Sequence, residues 1–455
     1  MKAKSFKVMI LGACFAFAVS TPSTAQTIVA TAVEKPSLFK DLINDAVAQH
    51  PRVNAAIASH REAKQARRET RARYLPTIGL DVAGDATISR DFEDRFDNIV
   101  ERSRDRARAD VVLRGQQLLY DGGRTKASLD SASAGVEARE GDVETVAAEV
   151  ALDAIAAYLN VIRSRKNLEL AFEFEQRHQD ILAQVQTRYD EGVGALRDVA
   201  RLRARIADAA AIRANIERNL VNAESRYFEL FKEQPGPDLT PPDLVLTEAI
   251  QPDDAVQLAY KNNPALKAFS AQTDVGRHDL EAAKSEFLPN VTLSVDATKF
   301  EIFDGNSDYD VRGRLGVDFT IFSGGARSAR RNQALHRFRR SEFEEQLAQQ
   351  ELARDITIAF RELDILESQI QVLKRAKKAN GDARDLYIEQ FKIARGSLLD
   401  LLQAEADHFN ATIAYTDGLW ERDISRYRIL NLTGEMLQKL NISLPITSAT
   451  ELWRR

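Results

Sequence analysis

Two long reaches of this chain contain no proline. None falls between Pro76 and Pro235, and none between Pro289 and Pro445. Glycine is almost as scarce there: none occurs at 142–191, and Gly381 stands alone between Gly325 and Gly396. Inside a helix a proline costs about 3 kcal/mol and a glycine about 1 kcal/mol, so helices are free to run through these stretches. Residues 124–188 can form one helix of about 65 residues, about 97 Å long at 1.5 Å per residue. Residues 326–390 can do the same. No compact core hides a helix of that length, so its apolar seam must be narrow. Ile356, Ala359, Leu363, Leu366, Ile370 and Leu373 step by 3, 4, 3, 4 and 3, the spacing of a coiled-coil seam. Ala154, Ala157, Val161, Leu168 and Ala171 run in parallel in the first stretch, and their small side chains permit close helix approach.

The two stretches belong to a duplication. Tyr74-Leu75-Pro76-Thr77-Ile78-Gly79-Leu80-Asp81-Val82 returns as Phe287-Leu288-Pro289-Asn290-Val291-Thr292-Leu293-Ser294-Val295. Leu119-Tyr120-Asp121-Gly122-Gly123 returns as Ile321-Phe322-Ser323-Gly324-Gly325, and Gly194-Ala195-Leu196-Arg197-Asp198 as Gly396-Ser397-Leu398-Leu399-Asp400. A period of roughly 200 residues exceeds the 20–50 of a solenoid unit. It points to doubling of a whole structural half. Each half reads as a helix, a turn at Pro51 or Pro264, a second helix, two strands, a long helix, a tip and a return helix. The first half spans 37–233, with strands at about 77–120, the long helix at 124–188 and the tip at 189–198. The second spans 252–440, with strands at about 290–322, the long helix at 326–390 and the tip at 391–400. A proline-rich linker, 234–251, joins them, and a tail, 441–455, follows.

The strands alternate. Val311, Gly313, Leu315, Val317, Phe319 and Ile321 interleave with Asp310, Arg312, Arg314, Gly316, Asp318 and Thr320. Ile78, Leu80 and Val82, and Val291, Leu293, Val295 and Ala297, do likewise. Strands of about 10 residues with an apolar outside and a charged inside fit a transmembrane barrel, in which Val317 and Phe319 face lipid and Asp318 the lumen. The stretches 90–106 and 304–308 read as hairpin loops. Tyr120 and Phe322 close the last strands where an aromatic belt would sit.

The N-terminus supports export. Lys2, Lys4 and Lys7 precede an apolar run at 8–19 and the small-x-small pattern Ser23-Thr24-Ala25, so 1–25 reads as a secretory signal. No later stretch approaches 18–20 uncharged apolar residues. The only cysteine, Cys14, lies in that signal, in a sequence faintly like a lipoprotein cleavage box. The mature chain then has no disulfide, thiolate metal site or cysteine nucleophile. Four strands cannot close a barrel, since known ones start at about 8, and an open edge in lipid is prohibitive. Three chains would supply twelve.

Other functional classes fit poorly. A net charge of −5 with 29% charged residues argues against nucleic acid. His50, His60, His178, His278, His336 and His408 are scattered without metal-ligand spacing, and His178 falls in the seam series Ala171, Phe174, Ile181, Val185. There is no nucleophile elbow and no phosphate loop, so no enzyme and no cofactor is expected.

With its duplicated element order, Leu-Pro strand entries, Gly-Gly junctions and paired tips, the chain resembles the TolC family of outer-membrane channel tunnels over residues 37–440. The resemblance implies an α+β membrane protein in the outer membrane. Its homotrimer would form a twelve-stranded transmembrane barrel in lipid, continued by a coiled-coil helical barrel across the periplasm. It also implies docking onto a periplasmic adaptor (membrane fusion) protein and an inner-membrane transporter. Arg395-Gly396-Ser397-Leu398-Leu399-Asp400-Leu401-Leu402-Gln403-Ala404-Glu405 and Arg426-Tyr427-Arg428-Ile429-Leu430-Asn431-Leu432-Thr433-Gly434 are most similar to the branch serving type I protein secretion, with an ABC transporter. Multidrug or small-molecule efflux with an RND pump shares the architecture and stays open. An exported coiled-coil structural protein would explain the helices but not the strands.

The resemblance assigns the tunnel entrance to Asp400, Gln403, Asp198, Tyr189, Phe391 and Arg395. It assigns adaptor docking to Gly192, Val193, Gly194, Ala195, Ala394, Gly396 and Ser397. Three copies of Asp400 about a threefold axis would repel one another, and a cation could bridge them. Asp198 and Asp400 could equally serve the helix starts, where acidic residues favour the dipole. A second acidic position of the family pattern falls on Gln403, and a gate arginine falls on Gly396, with Arg395 one place early.

Overall fold

Pro51 and Pro264 each open a helix, at the one position where a missing N–H is no loss. In the computed structural model α1 (Phe39–Gln49) turns at His50 into α2 (Pro51–Ala72), and His50 Nδ1 accepts the Arg52 N–H at 3.2 Å. The second half repeats the turn. There α5 (Pro252–Asn262) meets α6 (Pro264–Ser285), and Asn263 Oδ1 accepts the Leu266 N–H at 3.1 Å. The structure describes residues 39–89, 91, 107–242, 251–302, 307–393 and 395–446. The signal 1–25 with Cys14, most of loop 90–106, residues 304–306 of the second loop, linker positions 243–250, Ala394 and tail positions 447–455 lie outside the described residues.

Four strands follow the helix pairs: β1 (Thr77–Ala86), β2 (Ala107–Tyr120), β3 (Asn290–Lys299) and β4 (Tyr309–Asp318). They form one antiparallel sheet in the order β1-β2-β3-β4, so the two halves meet where β2 pairs with β3. The register sorts the side chains. Leu80, Leu113, Ala297 and Val311 share a row, as do Ile78, Gly115, Val295 and Gly313. Gly79, Arg114, Asp296 and Arg312 form a row of opposite character. On that polar face Arg114 reaches Asp81 at 3.5 Å and Asp296 at 3.2 Å, joining three strands. On the other face Ile78, Leu80, Val82, Leu315 and Val317 are 63–75% exposed. β4 ends at Asp318, short of the expected 322. Its partner β3 begins after Pro289, which has no N–H to extend the ladder beyond the Asn290–Asp318 pair. Phe322 therefore lies outside the strand, whereas Tyr120 ends β2 beside a bulge opposite Val291.

The strands turn into helices through paired glycines. Gly122 and Gly123 have φ of 69° and 86°, and Gly324 and Gly325 have φ of 60° and 84°, values that an L side chain adopts only with strain. Buried Asp121 caps the first junction, accepting from Gly123 N at 3.1 Å, Thr125 N at 2.7 Å and Thr125 Oγ1 at 2.6 Å. The helices then run for 67 residues each: α3 (Arg124–Asp190) and α7 (Ala326–Lys392). Their return partners are α4 (Leu196–Phe231) and α8 (Leu398–Leu432), with a short α9 (Met436–Lys439) after the second.

The helices lie side by side in a fixed order. α4 packs on α3, α3 on α8, and α8 on α7; nearer the sheet, α2 packs on α3, α3 on α6, and α6 on α7. The main core gathers at mid-length, where Ile43, Val47, Val53, Tyr227, Tyr427 and Met436 pack around Val150 and Ile155 of α3. Part of α3 is apolar enough by composition to cross a membrane. It is instead the centre of this core, and its Glu149 pairs with Arg52 at 2.7 Å and its Asp153 with Arg226 at 3.7 Å. The linker is fastened down by Arg165, which donates to the carbonyls of Pro235 and Gly236 and pairs with Glu224 at 3.2 Å.

Candidate functional site: the paired helical tips

Both long helices end in a tight reversal made by glycine. At the first tip Glu191, Gly192 and Val193 donate their N–H groups to the carbonyls of Thr187, Tyr189 and Arg188 at 2.9–3.0 Å. Gly192 has φ 78°, the left-handed stop typical of a helix end. Gly194 then lies so close to the last turn that a Cβ there would stand 2.8 Å from Tyr189 N. At the second tip Arg395 and Gly396 both donate to Gln390 O at 3.0 Å, and a Cβ on Gly396 would stand 3.0 Å from Phe391 N. Both glycines are needed because backbone fills the space of a side chain. Ser397 caps α8, its hydroxyl accepting from Leu399 N at 3.2 Å.

The two tips are held together. Ile181, Val185, Val199 and Leu202 of the first hairpin pack with Phe391, Leu398, Leu401 and Leu402 of the second. Arg188 clasps them: its Nη2 donates to Phe391 O at 2.6 Å and Lys392 O at 3.3 Å, and its guanidinium lies 4.4 Å from the Phe391 ring centroid. A groove of about 620 Å³ opens between the tips, lined among others by Arg188, Gly194, Asp198, Phe391, Gly396 and Ser397.

Of the expected residues, Asp198, Val193, Gly194, Ala195, Phe391, Gly396 and Ser397 thus meet at one groove. Phe391 is buried in the tip cluster, while Tyr189 is exposed. Gly192 and Arg395 lie beside the groove without lining it. Asp198 sits in the first turn of α4, with Arg197 at 3.9 Å, and Asp400 in the first turn of α8. Neither carboxylate is the helix cap. Asp400 and Gln403 occupy an exposed face of α8, where Gln403 Nε2 donates to Asp407 at 2.9 Å. Two residues were missed by reading the sequence. Arg188 could have been noticed as a cation in the last turn of a helix, next to the singled-out Tyr189. Asp407 stands one turn further along α8, where its carboxylate accepts from Gln403. Among the described residues no group of His, Cys, Asp and Glu is arranged to hold a metal ion.

A charged layer is buried just beyond the tip cluster, where α3, α7 and α8 meet. Glu405 is 2% exposed, with Arg177 at 3.9 Å. Burial pushes its carboxyl above the usual range, against the pull of Arg177 and Arg384. Phe174 stacks on Phe409 at 4.5 Å, and His178 Nδ1 hydrogen-bonds Phe174 O at 2.8 Å. Burial holds His178 and His408 below the ordinary histidine range.

Known proteins share this construction. The family model described as outer membrane efflux protein matches residues 42–229 and 255–435, one match in each half. The outer membrane efflux protein BepC of Brucella suis is 23% identical over 329 residues, 72% of either chain. The outer membrane protein TolC of Escherichia coli is 21% identical over 405 residues, covering 85% of this chain and 80% of its own. A crystal structure of a membrane protein from Pseudomonas aeruginosa superposes with a TM-score of 0.78 at 19% identity, over 89% of this chain and 91% of that one.

Proposed function

The chain belongs to the outer membrane efflux protein family, and from that premise we propose that it is the exit duct of a type I protein secretion system. It is an outer-membrane channel subunit whose four strands form part of a twelve-stranded trimeric barrel, continued into the periplasm by the helices. The observation that carries the channel reading is one chain holding both parts of a conduit. It has a sheet with an exposed apolar face and a charged opposite face, and helices of about 100 Å at 1.5 Å per residue descending from it.

The duct supplies passage, and a transporter in the inner membrane supplies the energy. An ABC transporter with a periplasmic adaptor fits the secretion reading, which is supported by the run Gly396-Ser397-Leu398-Leu399-Asp400-Leu401-Leu402 and the helix-ending run Arg428-Ile429-Leu430-Asn431-Leu432-Thr433-Gly434. In this reading the adaptor docks at the tip groove and Asp400, Gln403 and Asp407 line the entrance. Arg188 and Phe391 hold the two hairpins of each subunit at the gate. A second reading, small-molecule efflux with an RND pump, is favoured by the Brucella relative's description as an efflux protein.

A deletion strain separates the two. Secretion predicts loss of a large protein from the cell surface or medium, with drug susceptibility little changed. Efflux predicts hypersensitivity to hydrophobic drugs and an unchanged set of secreted proteins. The second pattern would overturn the secretion reading and leave the channel standing.

A further inference from the structure

All four strand–helix junctions lie at the same end of the sheet. The strands are antiparallel, with β1 and β3 entered from α2 and α6 and β2 and β4 leading into α3 and α7. Each junction sets exposed apolar side chains beside a cation. Tyr74, Leu75, Tyr120, Phe287, Leu288 and Phe322 are 41–84% exposed. Next to them stand Arg71 and Arg73 at the end of α2, Arg124 at the start of α3, Lys284 at the end of α6 and Arg331 in the second turn of α7. These five cations are exposed. Arg327, in the first turn of α7, reaches back towards the sheet, its Nη1 donating to Thr320 O at 2.6 Å.

The carboxylates nearby are already engaged. Asp121 caps α3, Asp130 pairs with Lys126 at 3.8 Å, and Glu286 pairs with Arg330 at 3.0 Å. Among the described residues no carboxylate pairs with Arg71, Arg73, Arg124, Lys284, Arg327 or Arg331. The sequence sharpens the imbalance: residues 319–341 hold six arginines and no acidic residue. The other end of the sheet is balanced. There Arg108 lies 3.3 Å from Asp85 and 3.7 Å from Asp110, and loop 90–106 has five arginines against six acids. In a chain of net charge −5, the cation excess is thus placed at the end where the helices leave the sheet.

We propose that these six cations form a phosphate-binding ring that seats the headgroups of anionic phospholipids in the periplasmic leaflet of the outer membrane. Depth favours this occupant. Arg331 lies only about 8 Å along α7 at 1.5 Å per residue, and the headgroup layer on each side of a bilayer is about 5–8 Å thick. Exposed tyrosine and phenylalanine mark the boundary between hydrocarbon and headgroups, and the cations follow directly beneath it. A guanidinium offers phosphate two parallel hydrogen bonds, and basic residues beside a membrane draw anionic lipid to them. The inference rests on the channel reading, which puts this end of the sheet at the periplasmic face, and adds the class of lipid held there.

Native mass spectrometry tests it. The trimer, purified in mild detergent and offered equimolar phosphatidylglycerol and phosphatidylcholine, should retain the former in preference by about fivefold or more, the factor that one arginine beside an anionic surface contributes. The triple variant Arg71→Gln, Arg73→Gln, Arg331→Gln should remain trimeric and lose the preference. Arg337→Gln, Arg339→Gln, Arg340→Gln removes the same charge deeper along α7 and should keep it. The single variants Arg73→Gln and Arg331→Gln should each lower the preference, so the result does not depend on assembly of the triple variant. Excess inorganic phosphate should not displace the retained lipid, because the acyl chains hold it as well. Displacement would overturn the proposal in favour of a site for free phosphate. No preference in the unsubstituted trimer, or equal loss in both triple variants, would overturn the ring and leave the channel reading standing. Absence of any trimer in the unsubstituted protein would overturn the channel reading itself.

Discussion

Glu405 is a buried carboxyl whose desolvation outweighs the attraction of Arg177 and Arg384. Because its folded pKa is raised, the folded state binds that proton more tightly than the unfolded chain, and its contribution to stability improves as pH falls through the raised value. At neutral pH the ionised form is a liability. Glu405→Gln, which resembles the protonated side chain, should therefore melt higher than the unsubstituted protein at pH 7.5, and the gap should close on acidification. His178 and His408 have lowered pKa values and act in the opposite direction, losing stability at acid pH in both proteins, so the difference between the two melting curves is the quantity to read. A variant that melts lower at pH 7.5 would show that the ion pairs outweigh burial. Arg188 presents a simpler case. Its two carbonyl contacts and its stacking on Phe391 join separate hairpins, and a hydrogen bond from a charged donor contributes about 1.5–3 kcal/mol. Arg188→Ala should loosen the tips, read as faster proteolysis there and a larger conductance in planar bilayers. Arg188→Lys should be intermediate, since an ammonium loses the planar stacking.

The elements differ in how plainly the sequence declares them, and the sheet illustrates both extremes. Alternation identifies lipid-facing residues because side chains in a strand point to opposite faces with period two. Depth in the membrane is another matter, since it depends on where pairing starts and stops. Val317 pairs with Val291 one step from the end of the β3–β4 ladder, whereas Leu315 pairs with Leu293 nearer the middle. Leu315→Arg should thus cost about 2–4 kcal/mol and block assembly, and Val317→Arg should cost about 0–1 kcal/mol near the interface. Asp318→Asn, on the polar face, should assemble normally. Equal assembly of all three in outer-membrane fractions would show that the apolar face does not meet lipid. The long helices were legible because proline and glycine are absent over whole stretches and the seams repeat locally. The glycines of the tips were legible because the motif occurs twice. The β2–β3 pairing that unites the halves, the Arg188 clasp and the burial of Glu405 were not, because each joins residues far apart in sequence and leaves no periodic trace.

At the scale of the whole molecule, length is the property that most separates a duct from its alternatives. A 67-residue helix spans about 100 Å at 1.5 Å per residue, and a ten-residue strand adds up to about 33 Å at 3.3 Å per residue. The strands and long helices join through two-glycine turns with no intervening domain, so the two lengths should add, less the tilt of the strands. The detergent-solubilised protein should accordingly appear by electron microscopy as a particle roughly 120–130 Å long by these rises. It should show threefold symmetry in end view and a wider collar at mid-length, where α1, α5 and α9 pack on the long helices. A coiled-coil filament of the same helices would be thin, with neither collar nor detergent belt at one end. A compact particle would mean that the helices fold back on one another. Heat treatment adds an independent reading. The sheet has no closed edge within one chain, so boiling should convert a slowly melting oligomer to monomer in a single step, with no folded monomer between. A folded monomer that persists in mild detergent would show that one chain can satisfy its own edges, and the argument for a shared barrel would fail with it.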